Sequence, residues 1–146
     1  MVAPDPPEAR AIGGATGGDP YKLPPLLAAS VLNECGVHAV NLGADTPIEV
    51  LEIAAFGPEN EDRPDIVWLN TSTIPSPAKL RDDLLGLAER CRSEGILMCA
   101  GGREVGRLEL PPGAPILVHP SMQAFAESVE AFLARRARQT REDVDD

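Results

Sequence analysis

Asp65-Ile66-Val67-Trp68-Leu69-Asn70 sets four consecutive apolar residues between two polar ones. A strand with one wet face alternates apolar and polar side chains. A strand that is apolar without alternation is covered on both faces, as in a parallel sheet packed between helices. On the C-terminal side, Ser76-Pro77 opens a helix in which Leu80, Leu84, Leu87 and Cys91 recur at helical spacing, and Gly95 follows its end. Ile96 to Cys99 is then the fourth strand and Ile116 to Val118 the fifth. Ser121 can cap a last helix with Met122, Phe125, Val129 and Phe132 on its apolar face. Arg135, Arg136 and Arg138 stand at its expected C-terminal end, where the helix dipole favours cations. The segment between Gly101 and Pro115 holds Gly106, Pro111, Pro112 and Gly113, which leaves room for little more than a turn.

On the N-terminal side, Thr46-Pro47-Ile48-Glu49 reads as a helix start: Thr at the cap, Pro at the first helical position, Glu three residues after the cap. That helix runs to about Ala55. Val37 to Leu42 is the second strand, and Leu26 to Cys35 a helix that stops at Gly36. Arg10 to Thr16 is a short run of small residues that supplies the first strand. Short strands alternating with helices demand parallel pairing and right-handed crossovers. The expected fold is α/β, a flavodoxin-like doubly wound five-stranded parallel sheet in the order 2-1-3-4-5. Residues 10–138 form the expected domain. Residues 1–9, rich in proline, are read as a flexible leader, and 139–146 as a frayed acidic tail.

Composition narrows the function classes. The 146 residues suffice for one domain with a real core, built from aliphatic side chains because aromatics are only 3%. A net charge of −10 argues against direct binding to nucleic acid or an anionic membrane, both of which need a basic face. No apolar run reaches the roughly 20 residues of a membrane span, and no signal peptide is visible, so a cytoplasmic protein is expected. Cys35, Cys91 and Cys99 lack Cys-x-x-Cys spacing, which reads as reduced thiols packed as small apolar groups and not as a metal site.

In a sheet of this order, ligands bind beyond the carboxyl ends of the strands, where the strand order reverses. The segments Gly17 to Leu23, Asn70 to Ser76, Gly101 to Arg103 and His119 to Ser121 meet there in this reading. The first contains Gly18-Asp19-Pro20-Tyr21-Lys22-Leu23-Pro24, which resembles the Asp-x-His-x-x-Gly loop of cobalamin-binding domains. Cys35 to Gly43 is similar to that family's Gly-x-x-Val-x-x-Leu-Gly second strand. Asp65 to Leu69 is similar to its third strand, and Gly101-Gly102 to its Gly-Gly after the fourth.

The resemblance covers roughly Ala11 to Leu133 and implies the residues of a cofactor site: Asp19, Tyr21, Asn70, Ser72, Gly101 and Gly102. In the family, the loop histidine ligates cobalt and the aspartate orients that imidazole. A Ser-x-Leu lines a slot for the nucleotide tail, and the Gly-Gly admits the tail near the backbone. This chain departs at two positions, with Tyr21 for the histidine and Pro24 for the glycine. The Ser of Ser-x-Leu falls on Asn70 in strict register, or on Ser72 with a two-residue shift. A phenol is a poor cobalt ligand beside an imidazole. The resemblance therefore implies a non-catalytic, ligand-sensing or regulatory module with its histidine ligation lost. Any cobalamin would be bound weakly or with its own base on the metal. A corrinoid ligand and a protein partner are the expected partners.

The rival readings are a degenerate protein-interaction domain without cofactor, and a dinucleotide-binding domain suggested by Gly13-Gly14-Ala15-Thr16-Gly17-Gly18. The latter lacks the third glycine and an acidic residue at the end of the second strand. A phosphoacceptor receiver would need aspartate where Asn70 stands. No nucleophile–base pair at recognisable spacing supports an independent enzyme. His38 reads as a structural or surface residue, whereas His119 follows the fifth strand toward the expected site.

Overall fold

The computed structural model describes residues 9–58 and 63–145, so the expected leader lies, apart from Ala9, outside the described residues. Five strands, β1 (Arg10–Ala15), β2 (His38–Asn41), β3 (Ile66–Asn70), β4 (Leu97–Gly101) and β5 (Leu117–Val118), form one sheet in the order β2-β1-β3-β4-β5. All pairings are parallel. The helices are α1 (Leu23–Glu34), α2 (Ile48–Phe56), α3 (Pro77–Ser93) and α4 (Met122–Asp145), with a 3-10 turn at Val105–Leu108. This is the doubly wound flavodoxin-like arrangement read from the apolar pattern.

β3 is central and all five of its residues are buried. Val67 and Leu69 point into a cluster with Leu51 of α2 and Leu84 and Leu87 of α3. Ile66 and Trp68 point the other way, toward Ala28 and Leu32 of α1 and Phe125 and Val129 of α4. One strand thus supplies both cores, with each fully buried large side chain contributing about 1.5–3 kcal/mol. Trp68 also explains Gly13 of β1, where a Cβ would run into the Trp68 indole and carbonyl; at Gly14 a Cβ would instead meet the Gly43 carbonyl. Cys91 and Cys99 are buried in opposite clusters, and burial pushes both thiols up to about 12.

One helix end forms as expected and the others differ. The Ser121 cap forms, its Oγ accepting the Ala124 N–H at 3.1 Å. Thr46 makes no such cap; its hydroxyl donates instead to the Gly43 carbonyl, and α2 starts behind Pro47. α1 begins at Leu23, earlier than Leu26, because prolines are tolerated in a first helical turn and Pro24 and Pro25 fall there. α4 continues to Asp145, so 139–145, expected to fray as part of the tail, are helical, and Asp146 lies outside the described residues. Arg135, Arg136 and Arg138 accordingly sit mid-helix, and Arg136 pairs with Asp65 at 2.8 Å in place of meeting a helix C-terminus. Among the described residues, no helix is long and apolar enough to cross a membrane.

Candidate functional site

The carboxyl ends of the strands carry a cavity of about 650 Å³. Tyr21, Leu23 and Pro24 line it from the first loop and the start of α1, and Asn70 and Ser72 from the end of β3. Gly102 and Arg103 contribute from beyond β4. His119, Pro120, Ser121 and Met122 close the side formed by β5 and α4. All four loops expected to converge do so, and of the six residues implied as a cofactor site, Tyr21, Asn70, Ser72 and Gly102 line the cavity.

Asp19 and Gly101 are buried without lining it and do different work. Asp19 is fully buried; one carboxylate oxygen accepts the Tyr21 N–H at 3.0 Å and the other the Ser72 N–H at 2.6 Å. Its carbonyl accepts the Asp45 N–H, while the Asp45 carboxylate accepts the Gly18 N–H at 2.7 Å. Three loops are thereby tied by charge-assisted hydrogen bonds. Asp45 was not anticipated: its left-handed backbone, with φ of 49°, leaves no distinctive mark on the sequence, since aspartate tolerates that region.

The two glycines make room for the chain's own atoms. A Cβ at Gly101 would collide with the His119 imidazole, and one at Gly102, whose φ is 114°, with the Thr71 backbone. His119 is only 5% exposed and stacks on Phe125 at 4.6 Å between ring centroids. Burial lowers its pKa from the ordinary histidine value, a shift opposed by a hydrogen bond with the Ser121 backbone. Its place after β5 was legible in the sequence; its dependence on Gly101 was not.

Tyr21 is 48% exposed and stands at the rim, so the first loop brings no imidazole to the cavity. Two of the first three residues of α1 are prolines, which removes backbone donors that a pyrophosphate would need. Asn70 is 1% exposed, and neither its amide oxygen nor its nitrogen has a hydrogen-bond partner. The indole N–H of Trp68, two residues earlier on the same face of β3, is likewise unpaired. Among the described residues no group of three or more His, Cys, Asp or Glu is placed to hold a metal ion.

By sequence, the chain matches no family model and no curated protein. By structure, it is similar to a chain of the methanol:cobalamin methyltransferase complex MtaBC from Methanosarcina barkeri, with a TM-score of 0.70 and 16% identity over 88% of this chain. It is also similar to a cobalamin-binding protein from Desulfitobacterium hafniense DCB-2, with a TM-score of 0.62 and 16% identity over 85% of this chain. It shares its fold with both. The chain spans 48% of the first neighbour's length and 58% of the second's.

For a corrinoid, the residues fit in part. The cavity, its apolar rim and the unpaired Asn70 amide suit a large ligand with polar edges. The space freed by Gly101 and Gly102 is filled by His119 and Thr71 and provides no additional cradle.

Proposed function

We propose that the chain is a non-catalytic corrinoid-binding module that senses its ligand and acts through a partner protein. The observation that carries this reading is the cavity at the switch in strand order, with unpaired Asn70 lining it and Tyr21 where an imidazole would stand. The shared fold with corrinoid proteins supports the ligand class. Asn70, Ser72 and His119 would meet the ligand's polar groups, while Tyr21, Leu23 and Met122 would cover its apolar surface. Tyr21 would offer a corrinoid's metal only a phenol, a poor ligand beside an imidazole. When bound, the corrinoid would supply a cobalt centre, and these lining residues would hold it for the partner protein to read.

The test is retention of colour. The protein is mixed with hydroxocobalamin or adenosylcobalamin, passed through a desalting column, and its visible spectrum recorded. Retained colour with the spectrum of the ligand's own base on cobalt is the expected result. Retained colour with the base displaced would overturn the loss of histidine ligation, and a colourless protein would overturn corrinoid binding.

A second reading, a protein-interaction domain without cofactor, is favoured by one feature. Leu23, Leu26 and Leu27 are exposed along α1 next to Tyr21, an apolar shoulder beside the cavity mouth. A partner seated there would explain that shoulder with the cavity left empty.

A further inference from the structure

Among the described residues, Asn70 is the one buried side chain with two unpaired polar atoms; Thr16 and Trp68 have one each. The Asn70 backbone is held on both sides: the carbonyl accepts the Thr16 N–H at 3.1 Å, and the residue pairs in register with Ala15 and Gly101. Its side chain, in contrast, has no partner at either polar atom, although native proteins pair most buried polar groups. Of its neighbours, the Thr16 hydroxyl and the Trp68 indole N–H are unpaired as well, and two others are engaged elsewhere. The Ser72 N–H donates to Asp19, and the His119 ring lies against Phe125 above Gly101. A carboxamide offers one N–H donor face beside one acceptor oxygen in a single plane.

We infer that Asn70 is the specificity element of the cavity and reads a planar edge that presents a hydrogen-bond acceptor beside a donor. An adenine ring presents such an edge, and so does a primary carboxamide. Asparagine meets adenine through two parallel hydrogen bonds at the ring nitrogen and the exocyclic amine. A benzimidazole has no exocyclic amine and satisfies one of the two Asn70 atoms at most. The inference deepens the corrinoid reading, because corrinoids carry peripheral carboxamides and differ in the base of their lower tail, but adenosine alone tests it independently.

The experiment is calorimetric titration of the native chain, Asn70→Leu and Asn70→Ser with four probes: adenosine, tail-less cobinamide, benzimidazole-tailed cobalamin and its adenine-tailed analogue. Thermal melts confirm that each variant is folded, and Asn70→Ser keeps a polar group in case the leucine does not pack. If adenine is read, adenosine or the adenine-tailed corrinoid binds the native chain about tenfold or more tightly than the benzimidazole form, and both variants lose that preference. If a carboxamide is read, cobinamide binds as well as either tailed form and weakens by a similar factor in the variants.

Corrinoids that bind equally well to all three proteins would leave the corrinoid reading standing and overturn the role of Asn70. Asn70-dependent binding of adenosine without any corrinoid binding would do the reverse. Binding of no probe overturns both.

Discussion

Asp19 shows how a residue's resemblance and its physical role can part. Both carboxylate oxygens are occupied by backbone N–H groups of its own loop and of the β3–α3 loop. Asp19→Ala would leave two N–H groups without their charged acceptor, and hydrogen bonds to charged groups are worth about 1.5–3 kcal/mol each. A loss of about 3 kcal/mol in urea denaturation is expected, with Asp19→Asn losing less because one oxygen still accepts. Equal, negligible losses would show that the clamp carries no weight. His119 gives a prediction in pH. Its pKa is lowered in the fold from an ordinary 6.5, so the unfolded chain binds the proton first as pH falls. Stability is therefore full above about pH 6.5 and declines below it. The native melting temperature should fall more between pH 7.5 and 5.5 than that of His119→Gln, and parallel pH profiles would refute the linkage. Gly101→Ala should drive the imidazole off Phe125 at a cost of about 1–3 kcal/mol. Adding His119→Ala should recover part of that cost in a double-mutant cycle, since the two residues are in contact.

At the scale of elements, α4 divides into two halves. Phe125 and Val129 anchor its first half in the core, whereas 135–144 are exposed. The second half stays helical through good helix formers and local contacts, the Thr140 hydroxyl and Arg141 guanidinium bonding carbonyls one turn back. Truncation after Arg138 should change stability by less than about 1 kcal/mol, because the removed residues 139–144 are exposed. A larger loss in chemical denaturation would mean that this stretch supports the fold. The Arg136–Asp65 pair, half-exposed, should add at most about 1 kcal/mol. The sequence supported the position of α4 through the spacing of its apolar face, but its end was illegible: a polar helix and a polar tail have similar compositions.

At the scale of the whole molecule, β3 joins both cores, so the two layers should unfold together. Trp68, the one tryptophan of the chain, is fully buried at that junction and reports on it. Fluorescence and far-UV circular dichroism should trace one coincident urea transition. Leu32→Ala and Leu84→Ala, on opposite faces, should each lower it by about 2–5 kcal/mol. Separate transitions would mean that the layers are independent. The apolar run from Ile66 to Leu69, set among alternating helices, pointed to a strand covered on both faces of a parallel sheet, and the expected order 2-1-3-4-5 is the one the structure has. That information is local, carried by periodicity and chain direction. Which polar groups find partners is not local. Tertiary structure alone decided that Asp19 is a clamp, that Gly101 makes room for His119, and that Asn70 faces the cavity with its amide unpaired, because each depends on distances between segments far apart in the chain.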